Sequence, residues 1–361
     1  MMQSILTHLD HLVAFDTRNP PRAIGTGGIF DYLQAQLPGF RFELTDFGAG
    51  AVALLAVRGN PRRLFNVHLD TVPDSPHWSA DPHRLRVLED RAIGLGACDI
   101  KGAAACLLAA AARTAGDAAF LFSTDEEAND PRCIAGFLTA HRNDFDQALV
   151  AEPTRSEAVL AHRGIASVRM LFRGRAGHAS GVEAMEANAL HQAARWSVAA
   201  LDRVKAEAHA RFGGLTGLRF NIGRIEGGIK ANMIAPQAEL RFGFRPLPSQ
   251  GLDAWHHIFR ALAPSEALES YEITFGGPPL PAGDIAQAEA RRLQARDLAD
   301  ELQLPIGNAV DFWTEASLFS AAGLTAFVYG PGDIAQAHTA DEWVALSQLQ
   351  SYADAACRII A

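Results

Sequence analysis

Three short apolar runs, each ending on residues that can bind a proton or a metal, constrain this chain most. Leu64–Val67 runs into His68-Leu69-Asp70, Ala118–Phe122 into Asp125-Glu126-Glu127, and Ala148–Ala151 into Glu152-Pro153. Apolar runs this short and unbroken read as strands buried on both faces. Such strands belong to a sheet with helices laid over it, and sites in open sheets of that kind collect at the carboxyl ends of strands. Pro73 cannot continue a central strand, so the chain leaves the sheet just past His68 and Asp70.

The rest of the first 162 residues supplies the helices. Ile5, Leu6, Leu9, Leu12 and Val13 share one face of a helix over Ser4–Phe15, with Ser4 as its cap, and Asn19-Pro20-Pro21 breaks it. Gly27–Leu37 reads as a second helix, and Phe40–Leu44 and Ala51–Val57 as strands. Gly102–Ala115 is apolar nearly all round, which makes it a buried helix. This strand–helix alternation predicts an α/β sheet with parallel strands.

The pattern changes after residue 162. Ile165–Phe172 alternates as a strand, Glu183–Ala206 reads as one long helix, and Leu218–Ile225 and Ala238–Phe244 as strands. Leu252–Leu262 is a helix and Tyr271–Phe275 a strand. The order β-α-β-β-α-β fits a small ferredoxin-like unit. It reads as an insertion, because helix–strand alternation resumes after Gly276-Gly277-Pro278-Pro279. Helices are predicted over Ile285–Leu302, Glu315–Ala321 and Leu346–Ile360, with a strand at Thr325–Tyr329. The expected division is 1–162 and 277–361 for one domain and 163–276 for the other.

Composition excludes several classes. The 361 residues suffice for two domains. The formal net charge of −9 argues against a nucleic-acid or anionic-membrane partner. Cys98, Cys106, Cys133 and Cys357 form no C-x-x-C pair, and so low a cysteine content fits a reducing compartment. The first residues lack the basic start and long apolar core of a signal peptide, and no run reaches the ~18 apolar residues of a membrane span. The expected location is the cytoplasm. Gly94-Leu95-Gly96 leads to Asp99 where a dinucleotide fingerprint needs glycine, and neither a P-loop nor the G-x-S-x-G of a serine hydrolase appears.

Taken singly, each polar strand end has a plain reading: a histidine satisfied by backbone groups, a solvated acidic loop, a loop histidine. Taken together, His68, Asp99, Glu127, Glu152 and His338 all lie at strand ends or in adjoining loops. Two imidazoles and three carboxylates suit two Zn²⁺ or Co²⁺ ions better than Mg²⁺, which prefers oxygen and water. If one carboxylate bridges, each ion has three protein ligands and an open position, the layout of a catalytic site. Asp70 can fix the ring nitrogen that His68 presents, and Glu126 is left free as general base.

This motif set resembles the M20 family of di-zinc metallopeptidases and deacylases over nearly the whole chain. Glu152-Pro153-Thr154, Thr314-Glu315-Ala316 and Gly330-Pro331-Gly332 through His338 are similar to its acetylornithine deacetylase branch. The resemblance implies an α/β mixed-sheet catalytic domain with an inserted ferredoxin-like lid that dimerises. It implies two Zn²⁺ (or Co²⁺) per subunit and a small N-acetyl amino acid as substrate. Asp99 would bridge the ions, with His68 and Glu152 on one, and Glu127 and His338 on the other. Asp70 would orient His68, and Glu126 would be the base. In the lid, His178 would reach the substrate oxyanion of the partner subunit, and Asn232 and Arg245 would touch substrate. A plain reading of Arg245 is a strand-end ion pair. A non-catalytic binding protein of the same fold is the rival class.

Overall fold

The computed structural model describes residues 1–128 and 132–361. The chain divides into two compact units. Unit 1 comprises Met1–Leu160, Glu289–Asn308 and Thr314–Ala361, and unit 2 comprises Ala161–Ala288 and Ala309–Trp313.

Unit 1 is built on a six-stranded sheet. Its order is Arg41–Asp46, Val52–Arg58, Ala118–Ser123, Arg63–His68, Gln147–Val150 and Thr325–Val328. The last four strands are mutually parallel, and the first two are antiparallel to their neighbours, so the sheet is mixed. Ala118–Ser123 is buried at every position, and Leu64–His68 likewise, as the unbroken apolar runs require. The helix Lys101–Ala111 is buried along its whole length. It is flanked by Met2–Ala14 and Leu346–Ile360, each presenting one apolar face.

One element of unit 1 was not legible in the sequence. Arg86–Leu88, Arg91–Ile93 and Trp343–Ala345 form a small three-stranded sheet. Three-residue strands are too short to show a period, so the glycine-rich stretch after Arg91 masked the first pair. The 285–302 segment is a short 3₁₀ turn, Ile285–Gln287, followed by the helix Ala288–Glu301.

Unit 2 is a four-stranded antiparallel sheet in the order Arg219–Gly227, Gln237–Arg245, Ile165–Arg173, Leu268–Gly277. With helices Ala189–Ala206 and Leu252–Ala261 on one face, this is the ferredoxin-like arrangement. The covered face packs Val168, Phe172, Leu240, Phe242 and Phe244 against Trp196 and Phe259. The single helix expected over 183–206 is instead two. Ala184–Ala187 stops at Asn188, whose side chain accepts the Leu190 N–H and caps the longer helix.

Unit 2 extends past the glycine-proline turn at 276–279. His162 pairs with Leu280 and with Val310, and Trp313 Nε1 donates to the Pro278 carbonyl at 3.0 Å. These bonds tie the 309–313 segment to unit 2, although the surrounding sequence belongs to unit 1.

Candidate metal centre

The five predicted donors converge in unit 1. His68 ends its strand, and Asp99 closes the turn after Arg91–Ile93. Glu127 follows Ala118–Ser123, Glu152 follows Gln147–Val150, and His338 follows Thr325–Val328. Their donor atoms fall into two groups, His68–Asp99–Glu152 and Asp99–Glu127–His338, with all atoms of a group within 4.8 Å of one another.

Asp99 belongs to both groups. Its Oδ1 lies 3.1 Å from His68 Nε2, and its Oδ2 lies 3.4 Å from His338 Nε2. Glu152 Oε1 is 3.8 Å from His68 Nε2, and Glu127 Oε1 is 2.9 Å from His338 Nε2. One carboxylate thus splits its oxygens between two nitrogen-plus-carboxylate sets. That donor chemistry fits a pair of divalent cations.

The electrostatics point the same way. Burial, then the neighbouring Asp99 charge, pushes the Glu152 carboxyl far above its usual range, with His68 opposing. Burial also raises Glu127, against the bond from His338. Burial opposes a charged His68, yet Asp70 and Asp99 hold its imidazole well above the usual value. Bonds to Asp99 and Glu127 push His338 up to about 11. Carboxylates crowded in a buried site call for positive charge among them.

Asp70 orients His68 through two atoms. The strand ends at His68, so the backbone is free to bend, and Nδ1 lies 3.0 Å from the Asp70 carbonyl and 3.4 Å from its Oδ1. Nδ1 is the donor there, which leaves Nε2 as the nitrogen available to a cation once its proton is displaced. Asp70 Oδ2 accepts the Glu127 N–H at 3.0 Å and the Asn19 Nδ2 at 3.1 Å. Asn19 also donates to the Thr124 carbonyl at 2.9 Å. Sequence reasoning treated Asn19 only as part of a helix break. Its side chain in fact braces the carboxylate that links both donor groups.

The three adjacent acids at 125–127 divide their roles. Asp125 is fully buried and accepts the Cys133 N–H at 2.8 Å, at the start of the helix Arg132–Ala140. Glu126 belongs to neither donor group. Burial and the charges of Glu127, Asp70 and Asp99 raise its carboxyl to about 8, against the pull of His68.

The close approach of the loops is set by glycine. A Cβ on Gly330 would sit 2.4 Å from the Glu152 carbonyl oxygen, so only glycine lets the 330–332 loop pass the Glu152 strand end. Gly96 has φ +80°, and a Cβ there would meet Thr71 at 2.8 Å. His338 itself has φ 59°, a left-handed conformation that costs a non-glycine residue roughly 1–2 kcal/mol.

The predicted residues of unit 2 are described within that unit. The Ala179 N–H bonds to the Asn232 carbonyl at 3.0 Å, and the Ile234 N–H to Gly177 at 2.9 Å. His178 and Asn232 therefore sit on paired, exposed loops although 54 positions separate their numbers (232 − 178). His178 Nδ1 lies 2.7 Å from the Ser180 hydroxyl and 3.3 Å from the Ser180 N–H; where Nδ1 accepts from that N–H, Nε2 of the neutral ring carries the proton and can donate. Arg245 ends its strand without the ion pair of the plain reading. Asp311 is held by Arg163 and by Arg219 Nη2 at 3.3 Å, and Arg245 forms no side-chain hydrogen bond among the described residues. Ile165, Ser167, Arg219, Asn221 and Arg245 line a cavity of about 280 Å³ on the open face of this sheet.

Comparison with known proteins adds four findings. Residues 64–361 match the model of peptidase family M20/M25/M40. The chain is 70% identical over 361 residues to the N-acetyl-L-citrulline deacetylase of Xanthomonas campestris pv. campestris, covering 100% of this chain and 98% of that one. It is 28% identical over 325 residues to the acetylornithine deacetylase of Vibrio parahaemolyticus, covering 85% and 83%. Among solved structures, the YXEP protein of Bacillus subtilis, described as a dinuclear metal binding peptidase from the M20 family, superposes with a TM-score of 0.66. It is 14% identical, with 99% of this chain and 98% of that one covered.

Proposed function

The chain belongs to peptidase family M20/M25/M40 and is a hydrolase acting on an amide; from that premise we propose that it removes the acetyl group of N-acetyl-L-citrulline. The products are L-citrulline and acetate, and the proposed place is arginine biosynthesis in the cytoplasm. The observation that carries the reading is the 70% identity to a deacetylase of that name across the full chain. The intact donor set adds to it.

We assign two Zn²⁺ ions, with Co²⁺ as a substitute, to the two donor groups. His68, Asp99 and Glu152 would hold one ion, and Asp99, Glu127 and His338 the other. Bound there, such ions would polarise the amide carbonyl and lower the pKa of a water toward ~7. Glu126 takes the proton of the attacking water and returns it to the leaving α-amine. Oxygen adds to the acetyl carbon, the C–N bond breaks, and one water is consumed per amide. Asp70 keeps His68 in its ligating tautomer. The Nε2 proton of His178 stabilises the oxyanion, supplied across a homodimer formed through unit 2. Arg245 pairs with the substrate α-carboxylate in a two-point bond, beside Asn232.

Side-chain preference follows from charge. Ornithine ends in an ammonium group and citrulline in a neutral ureido group. A buried ammonium needs a free carboxylate. Glu315 is 1% exposed and packed beside Ser123, and Asp333 is paired with Arg155 at 2.7 Å. Asp333 is thus committed to Arg155, while one oxygen of the buried Glu315 carboxyl has no hydrogen-bond partner, so the expectation of citrulline rests on the 70% identity. The test is kcat/KM for N-acetyl-L-citrulline against N-acetyl-L-ornithine on protein reconstituted with Zn²⁺ or Co²⁺. A ratio of ~100 or more, about 2.7 kcal/mol, is expected in favour of citrulline. The reverse ratio would assign the enzyme to ornithine.

A further inference from the structure

Glu342 is the most heavily used buried carboxylate outside the donor set. It is 2% exposed. Its Oε1 accepts the backbone N–H groups of Cys98 at 2.8 Å and of Asp99 at 2.9 Å, and its Oε2 accepts that of Gly96 at 3.1 Å. Its own carbonyl accepts the Gly94 N–H at 3.0 Å. Four amides of one turn therefore converge on a single residue 243 positions further along the chain.

The turn is also held by the Leu95 N–H bond to the Pro82 carbonyl at 2.9 Å and by the burial of Leu95, Ala97, Cys98 and Ile100. It lies between the strand Arg91–Ile93 and the helix Lys101–Ala111, and that helix has no side-chain cap. Within the turn, the Ala97 N–H bonds to Gly94 and the Lys101 N–H to Gly96. A buried carboxylate is tolerated when several N–H groups solvate it, and such charge-assisted bonds are the strong ones. Lys101 is fully buried nearby, with its Nζ donating to the Phe15 carbonyl at 2.9 Å.

We infer that Glu342 is a positioning residue: it fixes the backbone of Asp99 so that the two carboxylate oxygens of Asp99 divide between the two donor groups. Glu342 also stands four positions after His338. The same carboxylate thus ties the His338 loop to the Asp99 turn, joining the shared donor to a donor of the second group. This inference rests on the reading of Asp99 as the bridging ligand.

The test compares Glu342→Gln, which keeps the size and loses one acceptor oxygen, with Asp341→Asn next to it. Asp341 bonds Ser79 and Arg86 on the outer side of the loop and touches none of the 94–99 amides. Zn²⁺ affinity is measured by competition with a chromogenic chelator, and the visible absorption spectrum is recorded for Co²⁺-loaded protein. Glu342→Gln is expected to weaken metal binding about 10- to 100-fold and to alter the Co²⁺ spectrum. It should lower kcat with KM changed less than about 3-fold, since the ligand geometry and not substrate contact is lost. Asp341→Asn is expected to keep the affinity and spectrum of the unmodified protein. Equal weakening in both variants would reduce Glu342 to general loop support and overturn the inference.

The unmodified protein gives a second test that does not depend on a variant folding. Amide hydrogen exchange over residues 94–100 is followed in metal-free protein. Slow exchange at Gly96, Cys98 and Asp99 before any metal is added is expected. Exchange at open-loop rates, with protection appearing on metal addition alone, would overturn the inference. If the unmodified protein binds no divalent ion, the metal-centre reading fails and this one with it. If it binds, and Glu342→Gln binds as tightly with the same spectrum, this inference alone fails.

Discussion

The two sheets of this protein carry polar residues by opposite rules. In unit 1, Ala118–Ser123 is buried throughout and Gln147–Val150 nearly so, so a charged side chain has no place along the strand. The polar residues sit at the carboxyl ends, where His68, Glu127 and Glu152 meet. In unit 2, Ile165–Arg173 and Gln237–Arg245 alternate between buried and more open positions. Every second residue on the open face can be polar at little cost, whatever it does. Glu239, for example, pairs with Arg169 at 2.7 Å and with Arg241 at 2.6 Å, as ordinary surface ion pairs. A sheet buried on both faces confines its chemistry to its ends. A sheet buried on one face mixes chemistry with solvation.

The sharpest way to break this contrast is to remove the proposed base from unit 1 without disturbing its donors. Glu126→Gln is isosteric and lies outside both donor groups. It is expected to lower kcat by roughly three to four orders of magnitude, the upper end for a general acid–base group. Metal content, read by plasma mass spectrometry, should match the unmodified protein. Turnover within tenfold of the unmodified enzyme would move the base elsewhere.

The contrast also explains what was legible. All five donors were visible because each follows an apolar run or a glycine-bearing turn into a polar residue. The parallel strands of the sheet, the buried helix at 101–111 and the ferredoxin-like unit followed from run length, all-round apolarity and alternation, whereas the antiparallel strands that make the sheet mixed came only with the family resemblance. The bracing residues were not legible. Asn19 and Glu342 act through hydrogen bonds to groups 51 and 243 positions away, and nothing local marks such partners. The break at Asn188 was hidden because the apolar spacing continues across it, while its side chain caps the following turn. The residues of the open face in unit 2 were reached through family resemblance, since alternation there marks the fold and not the function.

A second, smaller effect belongs to unit 2. In the proposed mechanism His178 donates from Nε2, with Nδ1 facing the Ser180 N–H and hydroxyl. His178→Ala should reduce kcat about 10²–10³-fold, as for loss of one oxyanion donor, and leave metal content unchanged. Mixing His178→Ala with Glu126→Gln subunits then tests whether the donor crosses the proposed dimer. Each hybrid would hold one site with both an intact base and an intact donor. Recovered activity is the expected result, and none in a verified hybrid would place His178 in its own subunit's site.

The smallest expected effect on rate is also the one that separates function from solvation on the open face. Arg245 is partly buried, and burial lowers its guanidinium pKa, with Arg163 adding to the shift and Asp311 opposing it. A cation whose folded-state pKa is depressed is held charged at a cost to the fold. Arg169 and Arg241, on the same face, have carboxylate partners that offset such a cost. On the proposed reading, the partner of Arg245 arrives with the substrate. Arg245→Ala is therefore expected to raise KM about 10- to 100-fold, the worth of a charge-assisted pair of bonds at roughly 1.5–3 kcal/mol. Its effect on kcat should stay within a few-fold. Its melting temperature should be equal to or higher than that of the unmodified protein. An Arg245→Ala protein that melts lower with KM unchanged would return Arg245 to the solvating set, and leave the open face of unit 2 without a residue that reads the α-carboxylate.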